Sequence, residues 1–166
     1  MKQIKTISLA LLMLIASVVL SAVWAASLEE EKKLSARAIE MWASDNFDMI
    51  NETFTDGYVN HQEPDVEGGT KTLDLAQWQA LAGPFNQAFS DAKVEILLQL
   101  GEGDLVATRW QLTATQTGTY LGLAATGKTI SWTGAQIDRF ENGKIAETWV
   151  NWDMYGMFEQ LGLVKK

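Results

Sequence analysis

The residues whose types and spacing could support chemistry lie mostly in the last third of the chain, where acids alternate with tryptophans. Asn142-Gly143 predicts a two-residue type I′ hairpin turn, because both residues tolerate positive φ. A regular hairpin places a set of acids, amides and tryptophans on one strand face, since alternate residues share a face. They are Trp132, Gln136, Asp138, Glu147, Trp149, Asn151 and Asp153. Exposed faces rarely carry so many tryptophans and dry cores rarely carry so many acids. This face therefore predicts an aromatic pocket with a few polar groups, unless a bulge shifts the register.

The acids of this predicted pocket have alternative roles. Asp138 lies opposite Glu147 in this pairing. If two carboxylates at such a short distance are buried, the pKa of one of them is raised. The position of Asp138 near the turn favours the alternative, an exposed place at the rim of the pocket. Glu147 acts either as a second acid/base or as the structural partner of Arg109, and we favour the partner. Asp153 either transfers protons beside the tryptophans, where a raised pKa suits neutral pH, or caps the last helix.

The chain has one histidine and no cysteine. His61 is a candidate general base or proton shuttle, because an unperturbed imidazole has a pKa of about 6.5, or else a loop residue satisfied by backbone groups. This composition excludes thiol nucleophiles, thiolate metal sites and multi-histidine metal clusters. Trp149 and Trp132 are predicted ligand contacts, since flat aromatic walls suit a planar ligand.

The elements that must position these residues begin with helices. Ser27 is the expected N-cap of a helix over 27–43, with three glutamates in the first turn, where negative charge suits the helix dipole. Two further helices are predicted over 45–51 and 73–89, the second kinked or divided by Pro84. A short extended piece over 58–61 and a loop over 62–70 lie between them.

The second half of the chain predicts an antiparallel sheet. The expected strands are 93–100, 105–117, 129–140 and 145–152, and a closing helix over 154–161 ends at Gly162. Helices followed by an antiparallel sheet indicate an α+β domain.

The first 25 residues have the pattern of a secretory signal peptide. Lys2 and Lys5 precede an almost entirely apolar run over 7–20, and Val23 and Ala25 suit the small-residue cleavage positions, so we expect cleavage after Ala25. The alternative, an uncleaved anchor, needs about 20 apolar residues. We therefore predict an exported protein, periplasmic or secreted, with one domain over 26–166 and no membrane contact after cleavage.

Removing the signal peptide makes an acidic chain more acidic. Lys2 and Lys5 leave with it, which lowers the basic count from 13 to 11 against 21 acidic residues and takes the net charge from -8 to −10. Such a charge repels phosphate backbones and argues against nucleic acid as a partner. Without disulfides, the exported chain must be stabilised by its core.

Five short motifs follow one another in order along the chain. They are Tyr58-Val59-Asn60-His61; Gly103-Asp104-Leu105-Val106-Ala107-Thr108-Arg109-Trp110; Gly118 to Gly122 with Thr126-Gly127-Lys128; Ile137-Asp138-Arg139-Phe140 with Gly143-Lys144-Ile145, Glu147 and Trp149; and Asp153, Gly156 and Gln160-Leu161-Gly162. Each motif alone is weak, but the ordered set resembles the SnoaL-like polyketide cyclase, or ester cyclase, family. The resemblance covers nearly all of the mature chain.

The resemblance implies the fold of the wider nuclear-transport-factor-2-like superfamily: a cone-shaped curved antiparallel sheet wrapped over about three helices, often dimeric, with an internal cavity. It also implies aldol ring closure without a cofactor. The general acid/base would be an aspartate near the end of the chain, which by position is Asp153. Besides the two tryptophans, the expected ligand contacts are Tyr58, Arg109, Gln116, Gln136 and Asn151. Gln116 replaces a histidine that is common in the family, which removes a proton carrier that works near neutral pH.

Three functions are compatible with this sequence. The first, which we favour on the resemblance, is an exported cofactor-independent cyclase or isomerase of a small apolar carbonyl compound, with Asp153, His61 and Glu147 as candidate catalytic residues. The second is a non-catalytic binding module for a hydrophobic small molecule, and the third is a homodimeric scaffold with a vestigial cavity. A raised carboxylate pKa in the pocket favours the first, whereas an apolar pocket with Asp153 used only as a cap favours the second.

Overall fold

A six-stranded curved sheet with helices on one face forms the fold, in a computed structural model that describes residues 9–62 and 70–164 and the side chains from residue 27 onward. The helices are α1 (Leu9–Ser44), α2 (Ile50–Thr53), α3 (Leu75–Ala80), α4 (Ala82–Ala88) and α5 (Met154–Leu161). The strands are β1 (Phe54–Gln62), β2 (Lys71–Asp74), β3 (Phe89–Glu102), β4 (Leu105–Gln116), β5 (Thr129–Glu141) and β6 (Lys144–Trp152). The predicted α+β fold is confirmed.

The sheet has the strand order β2-β1-β6-β5-β4-β3. The pairs are antiparallel except for β1 and β6, which run parallel although they are far apart in the sequence. The inner face packs against α1, α3, α4 and α5, and its aromatic side chains form two adjoining cores around Phe85 and Phe54. Burial of each such side chain contributes about 1.5–3 kcal/mol, which suits a chain that has no disulfide.

The first helix is longer than the sequence predicts. It begins at Leu9, so Ser27 lies within α1 rather than at its N-cap, because the alanines and leucines before it are strong helix formers. Its end at Ser44 is close to the predicted one. The basic residues Lys2 and Lys5 of the predicted signal peptide lie outside the described residues. Within 27–62 and 70–164, where the side chains are described, no helix combines the length and hydropathy that crossing a membrane requires.

The region between the first helix and the sheet differs most from expectation. The predicted helix over 45–51 is reduced to the short α2, and the predicted helix over 73–89 is divided into β2, α3 and α4. Asp74 starts α3 by a capping box with Gln77, in which each side chain bonds the other residue's backbone N–H. Pro84 does not kink α4, because it lies in the first turn, where backbone N–H groups need no partner within the helix. Most of the predicted loop over 62–70 lies outside the described residues.

The later elements agree with the sequence. The four predicted strands and the closing helix all form, and α5 ends at Gly162 in the left-handed conformation, with φ of 89°. Asn142 and Gly143 have φ of 52° and 77°, as the predicted hairpin turn requires.

The hairpin register departs from the regular pairing two residues beyond the turn. Glu141 pairs with Lys144 and Phe140 with Ile145, as predicted, but Arg139 then pairs with Glu147 because a bulge at Ala146 adds a residue to β6. Ile145 and Ala146 are both buried, at 0% and 6% exposure. The bulge thus uses two consecutive inward residues, and every later side chain of β6 lies on the face opposite to the predicted one.

Candidate functional site

An internal cavity of about 240 Å³ lies between the inner face of the sheet and helices α1, α3 and α4. Five tryptophans contribute to its walls: Trp42, Trp78, Trp110, Trp132 and Trp152. They come from α1, α3 and three different strands, and the curvature of the sheet brings them together. Such concave aromatic walls with few polar groups are typical of sites for small apolar molecules.

One wall of the cavity is polar. Tyr58, Asn60 and Gln62 alternate along β1 and therefore share its inner face. The Asn60 amide donates to the Tyr58 hydroxyl at 2.7 Å, and the Gln62 amide donates to the Asn60 carbonyl oxygen at 2.5 Å. Gln136 on β5 and Thr148 on β6 continue this wall.

Asp138 lies directly behind the polar wall and is fully buried, at 0% exposure. Its carboxylate accepts hydrogen bonds from Ser35 Oγ at 2.5 Å, Thr148 Oγ1 at 2.6 Å and Gln136 Nε2 at 2.8 Å. Burial raises the pKa of Asp138 to about 6, and the three donors oppose that shift. The exposed rim predicted for Asp138 is therefore wrong, because α1 covers it with Ser35.

Further hydroxyl groups support this carboxylate from behind. Ser35 Oγ and Thr108 Oγ1 are 2.7 Å apart, and the Gln99 amide donates to Thr108 Oγ1 at 3.0 Å. Since Ser35 donates its proton to Asp138, Thr108 donates to Ser35 and accepts from Gln99. This chain of donors fixes the orientation of the buried carboxylate.

The Tyr58 hydroxyl connects the cavity to the same network. It interacts with the hydroxyl of Thr148, which in turn bonds Asp138. Burial raises the pKa of Tyr58, and the charge of Asp138 raises it further. The phenol therefore stays protonated near neutral pH. Because Thr148 gives its own proton to Asp138, the Tyr58 O–H donates to Thr148, and it has to turn away from Thr148 to donate to a ligand oxygen.

Two of the predicted catalytic residues, His61 and Glu147, lie together on the outer face of the sheet. His61 Nε2 is 2.9 Å from Glu147 Oε1, and Arg139 Nε donates to Glu147 Oε2 at 3.0 Å. The His61 ring stacks on Trp149, with centroids 5.2 Å apart and an interplanar angle of 3°. The hydrogen bond from His61 is the main cause that lowers the pKa of Glu147, with Arg139 contributing. This group does not line the cavity.

The bulge at Ala146 is the physical reason for that placement. It turns Glu147, Trp149 and Asn151 outward and brings Thr148 inward. Glu147 was expected to pair with Arg109, but its partner is Arg139, since Arg109 is exposed farther along the outer face.

Two other predicted site residues, Asp153 and Gln116, do not line the cavity but form hydrogen bonds that stabilise the fold. Asp153 caps α5, its Oδ1 accepting from the backbone N–H of Gly156 at 2.8 Å. Gln116 is buried at the base of the connection between β4 and β5, where its amide bonds the backbone of Gly118 and its carbonyl oxygen accepts from Thr126 Oγ1 at 2.7 Å. That connection carries Tyr120 into the cavity wall.

Of the predicted site residues, Tyr58, Trp132 and Gln136 do line the cavity. Sequence reasoning missed Asn60 and Thr148 as residues of the cavity wall and missed the burial of Asp138. The alternation of polar side chains at 58, 60 and 62 was a usable signal for Asn60. Thr148 could not be found without knowing the bulge.

Comparison with known proteins places the chain in a defined structural group. A family model described as SnoaL-like polyketide cyclase matches residues 32–161. No curated protein matches the chain. Among solved structures, AclR, a proposed hydroxylase from Streptomyces galilaeus, has 26% identity and a TM-score of 0.71 over 82% of this chain and 98% of its own. IdmH, a proposed polyketide cyclase from Streptomyces antibioticus, has 25% identity and a TM-score of 0.69 over 80% of this chain and 98% of its own. A proposed polyketide cyclase from Acidithiobacillus ferrooxidans, at 23% identity, 82% and 96% coverage and a TM-score of 0.68, shares the fold.

Proposed function

Because the chain belongs to the SnoaL-like polyketide cyclase family, we propose that it is a cyclase or isomerase of a small apolar carbonyl compound, with Asp138 as its general acid/base. The signal-peptide pattern of residues 1–25 supports an exported enzyme. Similar structures carry different proposed activities, a hydroxylase and a cyclase, so the residues of the cavity, and not the fold, determine the reaction class.

The observation that carries the proposal is the buried Asp138 carboxyl group, which bonds two residues of the cavity wall. Thr148 and Gln136 both line the cavity and both donate to Asp138. A pKa of about 6 lets the group accept a proton near neutral pH and release it again. Asp153, which the family resemblance suggested for this role, is the cap of α5.

The proposed reaction begins with removal of a proton from the carbon beside a substrate carbonyl. The Thr148 hydroxyl takes this proton and passes its own to Asp138, which frees the Tyr58 O–H from Thr148 to donate to the resulting enolate oxygen. In a cyclase the enolate carbon attacks a second carbonyl of the same molecule, and the alkoxide so formed recovers the proton. In an isomerase the proton returns to a different carbon. Neither reaction has a net loss or gain of electrons.

A second function, a binding module without turnover, is favoured by one feature of the cavity. Asp138 reaches the ligand space only through Thr148 and Gln136, and most of the wall is apolar. A ligand that is held by the aromatic walls alone would remain unchanged.

Deuterium exchange of a simple ketone separates these two functions. The probe is 2-tetralone in D₂O, whose α-hydrogens exchange when the enolate forms, followed by mass spectrometry. We expect the wild-type protein to accelerate exchange and Asp138→Asn to reduce that acceleration by about 10²–10⁴-fold, the usual contribution of a general acid/base.

Asp153→Asn and Glu147→Gln are the matched controls, since each also replaces a carboxylate by its amide. Both are expected to keep exchange within a few-fold of wild type. Loss of exchange in Asp153→Asn with normal exchange in Asp138→Asn would return the catalytic role to Asp153. Binding of the ketone without accelerated exchange in wild type would establish the binding module.

A further inference from the structure

We propose that Ser35 of α1 is a positioning residue for the proposed acid/base: its hydroxyl holds Asp138 from behind the cavity wall and sets the pH range in which this carboxylate can accept a proton. The proposal rests on the proposed function for the reaction that Asp138 performs. The hold of Ser35 on Asp138 can be measured without any substrate, so the two proposals can fail separately.

Ser35 and the cavity wall bond different oxygens of the carboxylate. Ser35 Oγ donates to Oδ2 of Asp138 at 2.5 Å, whereas Thr148 Oγ1 donates to Oδ1 at 2.6 Å. Thr148 lines the cavity, while Ser35, at 0% exposure, does not. The carboxylate is therefore held between a helix and the cavity wall. Without the helix contact it could turn relative to Thr148, through which the proton transfer is proposed.

The helix itself does not need a hydroxyl group at position 35. A serine inside a helix can bond the backbone carbonyl one turn earlier, as Ser44 Oγ does with the Glu40 carbonyl at 2.7 Å. Ser35 Oγ is instead bonded to Thr108 and Asp138. Alanine would form the helix more readily, and a buried hydroxyl group costs free energy unless it is hydrogen-bonded. The buried carboxylate therefore accounts for a serine at this position.

The hydrogen bonds behind Ser35 all run toward the carboxylate. Gln99 Nε2 donates to the Lys32 backbone carbonyl at 2.8 Å, and because a carbonyl can only accept, the Gln99 atom at this place is the nitrogen. The same nitrogen donates to Thr108 Oγ1 at 3.0 Å, so the proton of Thr108 is directed to Ser35 and that of Ser35 to Asp138. A chain of donors that ends on a carboxylate favours its ionised form.

Hydrogen bonds, and not a cation, oppose the effect of burial on Asp138. Burial raises its pKa to about 6, and among the three donors that lower it Ser35 contributes most. The ionisable side chain that interacts with Asp138 is Tyr58, which is neutral near pH 7. The other ionisable side chains on the strands and the helix segment around Asp138 are at least partly exposed: Glu31, Lys32 and Arg37 on α1, His61 on β1, Arg109 on β4, Arg139 on β5 and Glu147 on β6.

The first test is the titration of the Asp138 carboxyl carbon by ¹³C NMR, with its signal identified by its absence in Asp138→Asn. Ser35→Ala removes a hydrogen bond to a charged group and should raise the pKa of Asp138 by about one to two pH units. The matched control is Ser44→Ala, which removes a hydroxyl group from the same helix but one that bonds a backbone carbonyl. This control should leave the titration of Asp138 unchanged.

A second pair of variants tests the chain behind Ser35 and serves if Ser35→Ala does not fold. Thr108→Val keeps the shape of the side chain but removes the donor to Ser35, so it should move the titration of Asp138 in the same direction by a smaller interval. Thr108→Ser keeps the hydroxyl group and should restore the wild-type titration.

The pH profile of 2-tetralone exchange is the readout that a merely structural role would not move. Wild-type exchange should rise around pH 6, as the base ionises, after the rate of a protein-free sample is subtracted. Ser35→Ala should be roughly fivefold to fiftyfold slower at pH 6, because a smaller fraction of Asp138 is ionised, and should return to within about threefold of wild type at pH 8.5. A loss of packing alone would instead lower the rate at every pH and keep the midpoint.

Three results would overturn the proposal: an Asp138 titration that is the same in Ser35→Ala and wild type, an equal shift in Ser44→Ala, or exchange that is lost at every pH with an unchanged midpoint. Failure of the proposed function has a different signature. Wild-type protein would then not accelerate exchange, while a shifted Asp138 titration in Ser35→Ala would still support the hold of Ser35 on the carboxylate.

Discussion

Asp138 is surrounded by hydroxyl and amide donors in the interior, while Glu147, nine positions later, lies between His61 and Arg139 on the outer face. Desolvation dominates at the first carboxyl and raises its pKa, whereas hydrogen bonding and positive charge dominate at the second and lower it. A carboxyl group that stays ionised beside a cation is poorly suited to proton transfer at neutral pH. This contrast favours Asp138 for the chemistry and an architectural role for Glu147.

The site could be predicted from the sequence only where local alternation decides the face. Trp132 and Gln136 were predicted from the period-two pattern of β5, whereas Tyr58 was expected from the family resemblance, and all three line the cavity. Asp138 follows the same pattern, but its burial depends on Ser35, which lies 103 positions earlier in α1. No local sequence pattern predicts a contact between residues so far apart in the chain.

Asp138→Asn is expected to remove a pH dependence of stability. Because the folded protein binds this proton more tightly than the unfolded chain, with a pKa of about 6 against an ordinary value of 3.8, the free energy of unfolding falls as the pH rises from 3.8 to about 6. The fall is about 3 kcal/mol for a shift of roughly two pKa units. Urea unfolding between pH 4 and pH 7 measures it, with Asp153→Asn as the matched amide control. Equal slopes in wild type and Asp138→Asn would show that Asp138 does not carry this proton.

At the scale of elements, the strands and their turn were predictable, and the pairing between strands was only partly so. Asn142-Gly143 determines its own turn, because both residues adopt positive φ readily. The bulge at Ala146 has no comparable signal in the sequence. Ile145 and Ala146 are two consecutive apolar residues that are both buried, but two consecutive apolar residues also occur in many strands without a bulge. That single added residue decides whether Glu147 or Thr148 lies beside the cavity.

Gly134 is important at the same scale. It has no side chain, and the ring of Trp110 on the neighbouring strand β4 occupies the space that a side chain at position 134 would fill. Gly134→Ala is expected to destabilise the fold by about 1–3 kcal/mol, since the new methyl group would overlap the Trp110 ring and force it out of place. Urea unfolding measures the loss. The control is Gly57→Ala, where a Cβ meets no atom within 4 Å. If both variants have wild-type stability, the packing of Trp110 against β5 is not as the structure describes.

At the scale of the whole molecule, the sequence indicated the class of fold but not how the sheet is assembled. Helices followed by strands predict α+β, and the cavity was expected from the family resemblance. The strand β2 was not predicted: its second half overlaps the start of the predicted helix over 73–89, because Asp74 both ends the strand and caps α3. The parallel pairing of β1 with β6 joins His61 to Trp149 across about half of the chain, and only the folded molecule shows it.

The chain is expected to lose residues 1–25 without losing its fold. The core residues of α1 that the structure describes lie at or after Leu28, and the family model begins to match at residue 32. After cleavage, Ser27 would lie near the new N-terminus, with Glu29–Glu31 in the first turn, where they suit the helix dipole. Expression in a bacterium with an export pathway should yield a mass that begins at Ala26, and 26–166 made directly should unfold at the same urea midpoint. Ala25→Trp, which fills a position that requires a small residue, should retain residues 1–25. Wild-type protein recovered with these residues intact would mean that the apolar segment serves as an anchor.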